Sequence, residues 1–129
     1  MPLTAQDLVA AAKSAIREID ADELLRLQAA GVPVIDVREP GEFAAGRVPG
    51  AVNIPRGVLE FEVDGHPAVN CVKDAALGHR DAPVVLYCRS GGRSALAAEA
   101  LKRLGFAEPL SMAGGFNAWA AAGRPTEGA

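Results

Sequence analysis

The feature that most constrains this chain is the run Pro83-Val84-Val85-Leu86-Tyr87, followed at once by Cys88-Arg89-Ser90-Gly91-Gly92-Arg93-Ser94 and then by a helical pattern. A strand wetted on one face alternates apolar and polar residues, and this one does not. Burial on both faces is the reading, which makes it a central strand of a parallel sheet. Ser94 to Leu104 carries Ala95, Leu96, Ala98, Leu101 and Leu104 on one stripe, with Gly105 to close the helix. With only 5% aromatic residues, the core must be built mainly from Val, Ile, Leu and Ala.

The rest of the chain repeats the strand-then-helix rhythm. Residues 4 to 13 show a weak helical pattern. Ile16 to Ile19 reads either as a short strand or as a continuation of that helix. Asp20 is an N-cap, with Glu23 placed for a capping box and Leu24, Leu25 and Leu27 on one side of a helix closed by Gly31. Val32 to Val37 reads as a buried strand, and Pro40 suits the first turn of a helix reaching Ala45. Ala51 to Ile54 reads as a brief strand, Leu110 to Met112 as a last strand and Asn117 to Ala122 as a last helix. The signal from Arg56 to Asp81 is poor and is read as irregular, with one or two helical turns. Strands alternating with helices imply an α/β domain with a mostly parallel sheet. At 129 residues, without repeats or linkers, residues 1–129 are expected to be one domain.

Composition excludes several function classes. A net charge of -3 and a pI of about 5.3 are no footprint for a nucleic-acid binder. No apolar run approaches the roughly 20 residues of a membrane span, and the N-terminus lacks a signal-peptide layout. The expectation is a cytoplasmic protein without membrane or nucleic-acid partners. Two cysteines, Cys71 and Cys88, and two histidines, His66 and His79, form no zinc site of familiar spacing, and the composition carries no cofactor signature, so none is expected.

The loop 88–94 carries the chemistry. Ligands of open parallel sheets sit beyond the carboxyl ends of the strands, where Cys88 stands. Glycines let the backbone approach a ligand, successive N–H groups converge on an anion, and the following helix adds partial positive charge. Such surroundings lower a cysteine pKa from about 8.5 to roughly 3.5–7.5. Cys88 is therefore the candidate nucleophile. Arg89 and Arg93 are placed to hold an anionic substrate or to balance the thiolate. Ser94 is placed either to cap the helix or to donate to a bound anion. A cysteine that merely ended a buried strand would not require the glycines and arginines that follow.

In these residues the chain resembles the single-domain rhodaneses, a sulfurtransferase family. Three blocks carry the resemblance: Asp36-Val37-Arg38-Glu39-Pro40 with Glu42-Phe43, Gly46 and Pro49 to Pro55; Tyr87 to Ser94; and Gly114-Gly115 with Trp119, Gly123 and Pro125. They span about residues 16 to 125. The resemblance implies a rhodanese-like five-stranded parallel sheet flanked by helices on both faces, with Cys88 as the sulfur-carrying residue. By that analogy the Cys88 thiolate takes the sulfane sulfur of thiosulfate or a persulfide donor. It holds this sulfur as a persulfide, stabilised by the amides of residues 89 to 93. The sulfur then passes to cyanide, a thiol or a protein cysteine. Arg89, Ser90, Gly91, Gly92, Arg93 and Ser94 become the substrate-binding loop. The alternative is a sulfur carrier or regulatory module acting on a partner protein. Phosphatases and arsenate reductases of the superfamily place five residues between cysteine and arginine, and this chain places four, which disfavours both.

Other residues carry two readings each. Asp36 and Arg38 either brace the loop or form a structural ion pair, the latter being favoured. Cys71 is either a resolving cysteine or an incidental thiol, and Trp119 either lines the site or packs in the core. Arg47 stands where many relatives have histidine, and is read as a structural replacement. The helix at 4–13 is an extension that either covers the sheet or pairs with a second copy.

Overall fold

A strand that is apolar throughout needs cover on both sides, and the computed structural model gives Pro83–Tyr87 that cover. The structure describes residues 2–63 and 80–128. Along the chain come α1 (Ala5–Ala15), β1 (Arg17–Ile19), α2 (Ala21–Ala29), β2 (Val34–Asp36), α3 (Pro40–Ala45) and β3 (Val52–Asn53). A 3-10 turn (Arg56–Val58), α4 (Leu59–Glu62), β4 (Pro83–Tyr87), α5 (Gly92–Arg103), β5 (Glu108–Met112) and α6 (Gly115–Ala121) follow. The five strands form one sheet in the order β1-β5-β4-β2-β3, and every pairing is parallel.

β4 alternates between two cores rather than between core and water. Val84, Leu86 and the adjoining Cys88 face Ala97, Ala98 and Leu101 of α5 and Leu59 of α4. Val85 and Tyr87 face Leu24 of α2 and Trp119 of α6. Each of the larger side chains so buried contributes roughly 1.5–3 kcal/mol. The register Asp36↔Tyr87 sets β2's last residue beside the end of β4, so the acid at position 36 is delivered to the same sheet edge as Cys88. Among the described residues, no helix is long and apolar enough to cross a membrane.

Local chemistry explains the helix ends, with some departures from expectation. Ile16 to Ile19 resolves as the end of a helix followed by a strand: α1 reaches Ala15, and β1 pairs with β5. Asp20 caps α2 by accepting the Glu23 N–H at 2.8 Å. The expected reciprocal half of that box is replaced by ion pairs of Glu23 with Arg26 and Arg17. Full capping boxes form instead at Thr4/Asp7 and at Glu39/Glu42, the latter with Pro40 in the first turn. α5 begins at Gly92, two residues before the expected Ser94, because Gly91 at φ 110° turns the chain directly into the helix. α6 likewise begins at Gly115 rather than Asn117. The segment after Arg56 opens with ordered turns. Cys71, His66 and His79 lie outside the described residues.

Trp119 packs in the core: it is buried, and its indole N–H donates to the Pro125 carbonyl at 2.7 Å. Arg47 lies over the Phe43 ring and bridges by its backbone to Glu127. α1 packs on α5, with Val9 at Gly92 and the Ala15 carbonyl accepting from Lys102 at 2.7 Å, so the N-terminal helix covers the sheet's helical layer.

Candidate active site

Cys88 is the residue after the last of β4, and three residues later Gly91 turns the chain into α5. The chain between must curl around the sulfur. The Gly91 N–H donates to Cys88 Sγ at 3.0 Å. The nearby Ser90 and Ser94 amides add to the pull that lowers its pKa. The sulfur thus lies at the N-terminus of a twelve-residue helix, where partial positive charge accumulates. Burial, at 1% residue exposure, pushes the thiol pKa up. The hydrogen bonds from the Ser94 hydroxyl and from the Ser94, Gly91 and Ser90 amides outweigh it, and the pKa ends below the ordinary thiol value.

Ser94 is fully buried on the first turn of α5 and does not cap the helix; Gly91 occupies the N-cap position. Its Oγ lies 3.5 Å from Cys88 Sγ, 3.3 Å from the Gly91 carbonyl and 2.8 Å from Ser111 Oγ on β5. A thiolate only accepts, so beside a thiolate Ser94 donates to sulfur and Ser111 donates to Ser94.

The outer side of the loop is clamped by the start of α6. The Phe116 N–H donates to the Cys88 carbonyl at 2.8 Å and the Asn117 N–H to the Arg89 carbonyl at 2.9 Å. In a trans peptide the N–H points opposite to the C=O. Holding the Arg89 carbonyl outward therefore turns the Ser90 N–H inward, toward sulfur. The approach requires glycine: a Cβ on Gly115 would lie 2.5 Å from the Cys88 carbonyl oxygen.

The arginines separate. Arg93, on α5, donates from both terminal nitrogens to Glu42 of α3, at 2.8 and 3.1 Å. Those bonds hold the Glu42 carboxyl at about pKa 2. Arg89 is exposed and makes no ion pair with any described residue. Asp36 and Arg38 form a buried bidentate pair, closest at 2.7 Å. Arg38 also donates to the Gly46 carbonyl at 2.6 Å and stacks 4.5 Å from the Phe116 ring centroid. Burial would lower its pKa, but the Asp36 carboxylate raises it further. Phe116, whose N–H holds the Cys88 carbonyl, thus stands between the pair and the loop.

Of the loop residues, Gly91 and Ser94 contact the sulfur, while Arg93 is turned to Glu42 and Arg89 is exposed. Sequence reasoning assigned no site role to Glu42, Ser111 or Phe116. Glu42 stands 51 residues from Arg93, and its position three after Glu39 signals only a helix cap. Ser111 sits between Leu110 and Met112 on β5, and a buried hydroxyl there is the one signal it gives. Among the described residues no three His, Cys, Asp or Glu side chains gather as a metal site would need.

The family model described as rhodanese-like domain matches residues 20–122. A sulfurtransferase of Allochromatium vinosum is 33% identical over 112 residues, covering 85% of this chain and 94% of that protein. The thiosulfate sulfurtransferase GlpE of Pseudomonas entomophila is 33% identical over 106 residues, covering 82% and 86%. Among solved structures, a Rhodopseudomonas palustris protein of unknown function, described as a possible tyrosine phosphatase, superposes with a TM-score of 0.78 at 33% identity, covering 98% of this chain and 99% of that one.

Proposed function

The chain belongs to the rhodanese-like domain family, and on that premise we propose that it is a sulfurtransferase moving a sulfane sulfur through a persulfide on Cys88. In the first step the Cys88 thiolate attacks the outer sulfur of thiosulfate or of a persulfide. A bond forms between Sγ and that sulfur, and the donor's sulfur–sulfur bond breaks. With thiosulfate its electron pair leaves on sulfite; with a persulfide it leaves on a thiolate. In the second step an acceptor nucleophile (cyanide, a thiol or a protein cysteine) attacks the outer sulfur of the persulfide, and the Cys88 thiolate is released. Charge balances in both steps, so no proton need be held by a neighbouring histidine, and the two half-reactions give ping-pong kinetics.

The observation that carries this reading is the Gly91 amide at 3.0 Å from Sγ, at the start of α5 and beside the Ser90 and Ser94 amides. These donors stabilise the attacking thiolate. They remain in place for the terminal sulfur of the persulfide, which carries the same negative charge one bond further out. A sulfur nearly enclosed by its own loop suits a donor whose reacting atom is terminal. Substrate binding is assigned to Arg89 and to the loop amides, with Asp36 and Arg38 as support.

The likeness to a possible tyrosine phosphatase raises phosphate-ester hydrolysis as a second reading. Two features oppose it. Four residues separate Cys88 from Arg93, which makes a narrow cradle for a tetrahedral phosphate. The guanidinium that would clamp that phosphate is engaged by Glu42. Initial rates of thiocyanate production, with thiosulfate and cyanide varied together, test the proposal. Parallel double-reciprocal lines that vanish in Cys88→Ser support it. Hydrolysis of an aryl phosphate with no sulfur transfer to cyanide or to a protein thiol would overturn it.

A further inference from the structure

Of the charged side chains already placed about the Cys88 loop, four cancel in pairs. Asp36 and Arg38 cancel in the core. Arg93 and Glu42 cancel at the rim, with both ion-pair partners only half-buried. Arg89 makes no ion pair with any described residue. A loop that reads in sequence as doubly cationic therefore presents one net positive charge.

The Glu42 carboxylate is built in rather than adventitious. One oxygen accepts from Arg93 at 2.8 Å and from the Glu39 backbone N–H at 3.0 Å, the latter bond closing the α3 capping box. The other accepts from Arg93 at 3.1 Å. Three donors fix it, and the helix that presents it is itself set by Pro40 in its first turn. With its carboxyl held at about 2 by Arg93, the pair stays intact at any working pH.

We propose that Glu42 is a specificity-determining residue of the sulfur-transfer reaction. By occupying Arg93 it limits the mouth to the single charge of Arg89, and so biases the site toward singly charged sulfane donors over dianionic thiosulfate. Glu42 touches no reacting atom; it acts through Arg93. The inference rests on Cys88 being the sulfur acceptor, and it concerns only which donor charge the site favours.

The test compares thiosulfate with an arenethiosulfonate, which delivers the same terminal sulfur but carries one negative charge instead of two. Each is assayed for kcat/KM with cyanide as acceptor. Glu42→Gln leaves the Arg93 charge uncompensated, and the extra cation should raise the thiosulfate constant about fivefold and the thiosulfonate constant about twofold, with a steeper decline in added salt. Arg93→Gln should move the ratio of the two constants the opposite way. The double variant Glu42→Gln/Arg93→Gln restores the wild-type net charge without the pair. Its ratio should return to the wild-type value even if both constants fall through a looser loop. Equal changes with both donors in Glu42→Gln, or a double-variant ratio unlike wild type, would overturn the inference and leave Glu42 as a scaffold residue. Failure of the underlying reading looks different: wild type itself would transfer sulfur from neither donor.

Discussion

Gly115→Ala is the substitution whose effect the geometry fixes most tightly. Gly115 holds φ at 57°, a region that costs an L-residue about 1–2 kcal/mol. Its new methyl would lie 2.5 Å from the Cys88 carbonyl oxygen and 2.7 Å from the Arg89 carbonyl carbon and oxygen. All three are main-chain atoms, held in place by the Phe116 and Asn117 amides, so no side chain can swing aside. Overpacking of this kind adds about 1–3 kcal/mol. The sum is about 2–5 kcal/mol, or roughly 8–20 °C in Tm for a chain of this size. Two further glycines calibrate the value. Gly31 has φ 94° with nothing within 4 Å of an added methyl, so Gly31→Ala should cost only the conformational part, about 1 kcal/mol. Gly41 lies within α3 with nothing within 4 Å, and Gly41→Ala should stabilise by about 0.5–1 kcal/mol. Urea unfolding of the three variants gives the order. Alkylation of Cys88 against pH adds a functional readout. Where Gly115→Ala folds, the displaced loop should lose amide donors to Sγ, and the thiol pKa should rise. A Gly115→Ala variant as stable as Gly31→Ala, with an unchanged alkylation profile, would show that the close contact with α6 does not hold the loop.

The same geometry makes three other outcomes specific. Asp36→Asn leaves the Arg38 charge buried without its carboxylate, and should cost about 3–5 kcal/mol by urea denaturation, while Asp22→Asn at an exposed ion pair should cost less than about 1 kcal/mol. Ser94→Ala removes a donor to Sγ and strands the buried Ser111 hydroxyl; the Cys88 pKa, read by alkylation, should rise, and stability should fall by about 1–2 kcal/mol. Glu42 has a folded pKa of about 2, depressed from 4.5, so its stabilisation is fully present above about pH 4.5 and is lost as pH falls toward 2. At a half-exposed pair this amounts to about 1 kcal/mol, and acid titrations of wild type and Glu42→Gln should converge over that window.

The parts of the fold and site legible in sequence are those encoded within a few neighbouring residues. The non-alternating β4, the cysteine at its end and the glycine-rich entry to α5 are contiguous, so their joint meaning survives without coordinates. The Asp36–Arg38 pair is equally local, two residues apart at a strand end. What escaped depends on chain segments meeting from afar. Nothing in the periodicity of α3 says that Glu42 faces Arg93, since an acid at the third position of a helix already has a use as a cap. Ser111 hides for the complementary reason: a single hydroxyl barely changes the apolar reading of β5. Gly114 and Gly115 are visible as a pair, but that they let α6 begin against the Cys88 loop follows only from their positive φ values and the carbonyls opposite. Glu23 shows the converse error, where local pattern promised a capping box and neighbouring arginines took the side chain instead.

Every role assigned around the loop depends on Cys88 Sγ carrying the transferred sulfur. Intact-mass spectrometry of the protein before and after incubation with thiosulfate, and again after cyanide, measures this directly. Wild type should gain about 32 Da, one sulfur atom, and lose it to cyanide, while Cys88→Ser stays unchanged throughout. A wild-type mass unaltered by thiosulfate and by every persulfide donor tried, or an adduct that persists in Cys88→Ser, would be incompatible with that role.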